Sequence, residues 1–164
     1  MEKESKVKEI VKEKFTEYLI KNHHRRTPER YAILDIIYSD SRHFDMETLY
    51  QTMNDSNFRV SRATLYNTMQ LLVKYKLVIQ HQFGKNQSFY ERAYNNDFHH
   101  HLICTSCGKV REDRDPTTKS LIENRKTRGF SATHYAVYIY GVCSSCQREQ
   151  KKLLKEIKNQ QKNK

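Results

Sequence analysis

The residues whose types and spacing could do chemistry are cysteines and histidines. The chain has four cysteines in two matched pairs, Cys104-Thr-Ser-Cys107 and Cys143-Ser-Ser-Cys146. Two such knuckles supply four thiolates, a tetrahedral set suited to structural Zn²⁺ at a metal–sulfur distance of about 2.3 Å. Four protein ligands leave no open position, so this ion staples rather than catalyses. A disulfide reading is poor, because nothing in the chain points to an oxidising compartment. Thioredoxin-like chemistry needs one CxxC beside a βαβ unit, not two pairs. The knuckles stand further apart than the ~15–20 residues of a compact zinc ribbon. A helix and a strand must therefore lie between them.

Phe98-His99-His100-His101 precedes the first knuckle. On a strand His99 and His101 share a face and His100 points away. Two imidazoles so spaced make a bidentate ligand; the plain alternative is a solvated polar stretch. His43, Glu91 and Glu112 are further candidates. Two or three His with one or two Glu suit a borderline divalent ion such as Fe²⁺, Zn²⁺, Mn²⁺ or Co²⁺. Spacing along the chain leaves open whether these five converge.

The elements that must position these groups follow from periodicity. Residues 3–21 carry Val7, Ile10, Val11, Phe15, Tyr18 and Leu19 at helical spacing. Thr27-Pro28 opens a second helix with Tyr31, Ile33, Leu34, Ile37 and Tyr38. Asp45 caps a third, with Met46, Leu49, Tyr50 and Met53, and Ser61 caps a fourth running to about Tyr75. Residues 77–83 and 87–90 read as strands about a turn at Gly84-Lys85-Asn86. Helices followed by a β-hairpin are the plan of a winged helix, with its helix-turn-helix around Phe58-Arg59-Val60-Ser61. From about residue 93 the character changes. Residues 100–104 and 109–112 read as strands, Pro116 to about Arg128 as a helix ended by Gly129, 132–140 as a strand, and 144–162 as a polar helix. The fold class is α+β. Expected boundaries are a winged-helix domain over 1–93, a small α/β domain with the zinc site over 94–147, and a Lys-rich helix or tail over 148–164.

Composition bounds the function. Lys plus Arg number 30 against 19 Asp plus Glu, a net charge of +11. Residues 147–164 hold seven positive and two negative charges, so much of the excess lies in the tail. A basic protein suits nucleic acid, but a Lys-rich end is also a common solvated tail. No apolar stretch approaches the ~20 residues that cross a bilayer. The N-terminus lacks the apolar core of a secretory signal. The expectation is a soluble, cytoplasmic chain without a membrane partner or small-molecule substrate. On the fourth helix Arg62, Tyr66 and Gln70 share one face, while Leu65, Met69 and Leu72 point inward. Arg reads guanine or phosphate and Tyr meets thymine methyls or phosphate. Arg25 and Arg26 could reach the backbone or minor groove.

Several motifs, in order, resemble the ferric uptake regulator family. They are Arg26-Thr-Pro-Glu-Arg30, His43-Phe-Asp-Met-Glu-Thr-Leu-Tyr50, Val60-Ser-Arg-Ala-Thr-Leu-Tyr66, Phe89-Tyr-Glu91, His99-His-His-Leu-Ile-Cys-Thr-Ser-Cys-Gly-Lys-Val110 and His134-Tyr-Ala-Val-Tyr-Ile-Tyr-Gly141. The resemblance spans about residues 25–146. It implies a homodimeric, metal-responsive transcription repressor, with a winged-helix DNA-binding domain, a dimerisation domain and a palindromic operator. By position it implies regulatory ligands His43, Glu91, His99, His101 and Glu112, and structural zinc on Cys104, Cys107, Cys143 and Cys146. The regulatory ion would be Fe²⁺, or Zn²⁺ or Mn²⁺ instead. Tyr66 would contact bases.

Three departures stand out. Phe98 and His100, with Lys119 or Ser120 in place of an acid, replace most of a further metal site in which His134 would take part. Glu91 stands where peroxide-sensing relatives carry Asp, which leans toward metal sensing. Asn67 replaces a usual Arg among the DNA-binding positions. The implied mechanism is a cation held by ligands from both domains. A zinc- or peroxide-responsive regulator is the rival within the family. A zinc hydrolase lacks a motif such as HExxH, and a zinc-ribbon interaction module leaves His43 and Glu91 without a role.

Overall fold

A computed structural model, which describes residues 2–56, 58–82, 88–96, 98–125, 128–131 and 135–162, buries Val11, Phe15 and Leu19 on one face of α1 (Glu2–Lys21). The chain divides into two compact units, Met1–Asn96 and Asp97–Lys164.

In the first unit α1 is followed by α2 (Pro28–Ser39), α3 (Met46–Asp55) and α4 (Arg62–Lys74). An antiparallel hairpin of β1 (Val78–Gln82) and β2 (Ser88–Arg92) follows. The Asp45 carboxylate accepts the Thr48 N–H, and the Ser61 hydroxyl accepts that of Thr64, so α3 and α4 start where a side chain can satisfy an orphan donor. Thr27 occupies the corresponding place ahead of α2, but its side chain makes no capping hydrogen bond; its carbonyl takes the Arg30 N–H instead. The core joins α1 to Ile33, Leu34, Ile37, Leu49, Met53, Leu65, Met69 and Leu72. Tyr38 donates its hydroxyl to the Leu77 carbonyl at 2.6 Å, and burial pushes its pKa up. The expected turn at 84–86 lies outside the described residues.

The second unit contains β3 (His100–Cys104), β4 (Val110–Asp113), α5 (Pro116–Glu123), β5 (Val137–Gly141) and α6 (Ser144–Lys162). The sheet order is β4-β3-β5, with β3 antiparallel to β4 and parallel to β5. Two expectations are corrected. The helix opened by Pro116 ends at Glu123 rather than near Arg128, with Asn124 as its cap and the Asn124 N–H on the Ser120 and Ile122 carbonyls. The following strand begins at Val137, not 132; residues 132–134 lie outside the described set, and Tyr135 and Ala136 are not in strand. β-Branched and aromatic character marks a strand but not its pairing, and the pairing with β3 starts at Val137.

Candidate metal centres and nucleic-acid interface

Parallel pairing of β3 with β5 sets Cys104 beside Gly141, and the Thr105 N–H donates to the Gly141 carbonyl at 2.8 Å. That pairing brings together knuckles that are far apart in sequence. Cys104 ends β3, Cys107 lies in the turn, and Cys143 and Cys146 flank the start of α6. Gly108, at φ 73°, lets the turn close with its N–H on the Cys104 carbonyl. The four sulfurs lie within 4.8 Å of one another, with Cys107 and Cys143 at 3.9 Å. A tetrahedron with Zn–S bonds of ~2.3 Å has edges of about 3.8 Å.

Their protonation fits the same ion. The backbone N–H groups of Cys143 and Cys107 hold the Cys104 thiol down at about 6. The Cys146 N–H draws Cys143 below the ordinary thiol value. Cys146 goes the other way, to about 12: a Ser106 hydrogen bond lowers it, but Cys143 and Cys107 beside it raise it further. Four crowded sulfurs cannot all ionise without a cation among them. The cluster fits a structural zinc site.

In the first unit His43 and Glu91 come together through a contact that periodicity does not reveal. Phe44 bridges Tyr90 in antiparallel fashion, with N–H···O distances of 3.0 and 2.8 Å. One step along that register sets His43 opposite Glu91. The Glu91 carboxylate is buried and receives His43 Nε2 at 3.1 Å and Asn96 Nδ2 at 2.7 Å on one oxygen. His81 Nε2 lies 2.6 Å from its other oxygen. Sequence reasoning missed His81; its signal was a histidine inside an otherwise apolar strand start, Leu77-Val78-Ile79.

In the second unit His99 and His101 are both buried, their ring centroids 4.7 Å apart. His101 stands opposite Glu112 across β3 and β4. His99 and Glu112 offer ligand atoms within 4.8 Å of each other. His100 packs edge-on against Phe98, at 5.1 Å between centroids. His134 lies outside the described residues.

On α4, Tyr66 is 49% exposed and Asn67 and Gln70 are exposed, while Leu65, Met69 and Leu72 are buried. Arg62 is exposed but engaged: its guanidinium meets the Glu47 carboxylate twice, at 2.7 and 3.0 Å, and lies 4.3 Å from the Tyr50 ring centroid. An exposed pair of this kind contributes little to stability. Arg25 and Arg26 are exposed ahead of α2. No described helix is long and apolar enough to cross a membrane.

The sequence profile of the Ferric uptake regulator family matches residues 21–140. The chain is 30% identical over 152 residues to the Ferric uptake regulation protein of Campylobacter jejuni, covering 88% of this chain and 94% of that one. It is 31% identical over 124 residues to the Peroxide-responsive repressor PerR of Staphylococcus aureus, covering 75% and 82%. It is similar to the solved structure of the ferric uptake regulator from Pseudomonas aeruginosa with manganese, at a TM-score of 0.66 and 25% identity over 79% of this chain and 97% of that one. The family match begins at the end of α1, so nearly all of that helix lies outside it.

Proposed function

The chain belongs to the ferric uptake regulator family of metal-responsive transcription regulators, and on that premise we propose that it is a cytoplasmic, iron-responsive repressor that binds palindromic operator DNA as a homodimer. Members of this family are regulators, not enzymes, which retires the hydrolase reading. The observation that carries the proposal is the buried Glu91 carboxylate with two imidazoles aimed at it.

His43, Glu91, His99, His101 and Glu112 are assigned to the regulatory ion, and the four cysteines to zinc. These side chains would hold a divalent cation, which would supply positive charge beside the Glu91 and Glu112 carboxylates. His43 and Glu91 carry its effect to the unit that presents Tyr66, Asn67, Gln70, Arg62, Arg25 and Arg26 to DNA. Ligands that favour the DNA-competent arrangement shift the population toward it. In support of a dimer, the second unit exposes Tyr138, Ile139 and Tyr140 on edge strand β5. Two copies of α4 would then enter successive major grooves.

The test is operator binding by zinc-loaded protein titrated with Fe²⁺, Mn²⁺ and Zn²⁺ in turn, followed by peroxide. Fe²⁺ is expected to tighten binding by roughly 5–150-fold, the usual range of allosteric coupling. Replacing His99 and His101 with Ala should abolish that gain while leaving the dimer intact. Equal affinity with and without added metal overturns the reading. Release of DNA by peroxide from the iron form would instead favour a peroxide sensor, and a response to Zn²⁺ alone a zinc sensor.

A further inference from the structure

We infer that His81 is a metal ligand, so that the N-terminal unit holds a three-donor half-site of its own, His43–His81–Glu91. The inference rests on the regulatory-site reading above and adds to it a residue that the resemblance did not assign. One ligand atom from each of the three lies within 4.8 Å of the others. Both imidazoles aim Nε2 at the same carboxylate, His43 at 3.1 Å and His81 at 2.6 Å, on different oxygens. Their rings flank it at 63° to each other, with centroids 5.7 Å apart.

Burial sharpens the point. His81 is 1% exposed and Glu91 3%. Burying a polar pair is costly unless its partners are excellent, and His81 is buried between exposed Gln80 and Gln82, on the face of β1 turned to Glu91. Asn96 already supplies the Glu91 carboxylate with a donor. An imidazole with its proton on Nε2 can donate to this carboxylate. A divalent ion would be held by the two Nε2 lone pairs and the carboxylate once each Nε2 proton has moved to Nδ1 or to solvent. Two imidazoles and one carboxylate form the donor set that non-haem Fe²⁺ favours. All three stand on the wing and the segment bridged to it, within one unit.

The experiment titrates full-length protein, with zinc on its cysteines, with Co²⁺, whose visible absorption reports ligand number and type. His81→Gln keeps an amide N–H able to bond Glu91 but removes the imidazole. It is expected to weaken Co²⁺ binding by more than about 100-fold, beyond the ~10–100-fold cost of losing an outer hydrogen bond, and to change the absorption band. Wild-type affinity and spectrum in His81→Gln overturn the inference. Because His81 is buried, the wild type is also followed by ¹⁵N-histidine NMR with Zn²⁺ as the probe. His81 Nε2 should lose its proton as Zn²⁺ binds; an Nε2–H that persists at saturation overturns the inference whatever the variant does. Loss of Co²⁺ in His43→Ala and Glu91→Gln but not in His81→Gln refutes His81 alone. Binding that survives all three variants refutes the regulatory-site reading as well.

Discussion

In the N-terminal unit the side chains most completely removed from water include Phe15, Leu19, Ile33, Met53, Leu65 and Leu72. In the C-terminal unit the buried described residues are His99, His100, His101, Ile103, Cys104 and Cys146, while Leu121, Phe130, Ile139, Tyr140, Leu153 and Leu154 are largely exposed. The first unit is therefore held by apolar area, at roughly 1.5–3 kcal/mol for each fully buried large side chain. The second has little such area, and small domains of this kind need a metal or an oligomer to fold. The four-thiolate cluster supplies the first of these, and the proposed dimer, with Ile139 and Tyr140 exposed on β5, would supply the second. The contrast teaches that one unit is stable by composition and the other by ligation.

The comparison can be broken at its strongest point by removing zinc. Cys107→Ser, or exhaustive chelation, should unfold the C-terminal unit and abolish the dimer. Structural zinc contributes on the order of 10–16 kcal/mol in small metal-dependent folds. Amide NMR should show the N-terminal signals unmoved; collapse of both sets together would refute the contrast. Next in size is Phe15→Ala, which should cost the N-terminal unit about 3–5 kcal/mol in denaturant unfolding, with zinc content unchanged. A cost under about 1 kcal/mol would mean that α1 is an appendage rather than core. Ile139→Asp should shift the monomer–dimer balance toward monomer in analytical ultracentrifugation, with folded secondary structure retained. Ser61→Ala should cost ~1 kcal/mol through the α4 cap.

The smallest effect is expected from pH. Asp115 accepts the Thr118 hydroxyl and the N–H groups of Thr117 and Thr118, and these hold its carboxyl down at about 2. A depressed carboxyl stabilises the fold above its unfolded pKa of ~3.9 and loses that contribution as pH falls. Wild type and Asp115→Asn should therefore differ in melting temperature near neutrality, and the difference should shrink as pH falls below the unfolded carboxyl value, over the range in which zinc is retained. A constant difference across that window would show that the cap does not depend on charge.

Much of the fold was legible. Asp45 and Ser61 signalled helix starts because a short polar side chain before an apolar period has a local partner to satisfy. The inward face of Leu65, Met69 and Leu72 followed from helical period alone, and the paired knuckles announced a zinc cluster by residue type. The end of α5 was not legible, because no single residue between Glu123 and Gly129 carries a decisive stop signal.

The site divides the same way. Which residues could bind metal was set by chemistry that any reading of the chain exposes, namely imidazole, carboxylate and thiolate in short motifs. Which of them meet was decided by register. The Phe44–Tyr90 bridge sets His43 against Glu91, the β1–β2 hairpin turns His81 inward, and parallel pairing of β3 with β5 closes the cysteine cluster. Period and residue type are local properties, encoded within a few positions. Strand pairing between distant segments is settled by the packing of the whole unit, so those meetings became visible only in three dimensions.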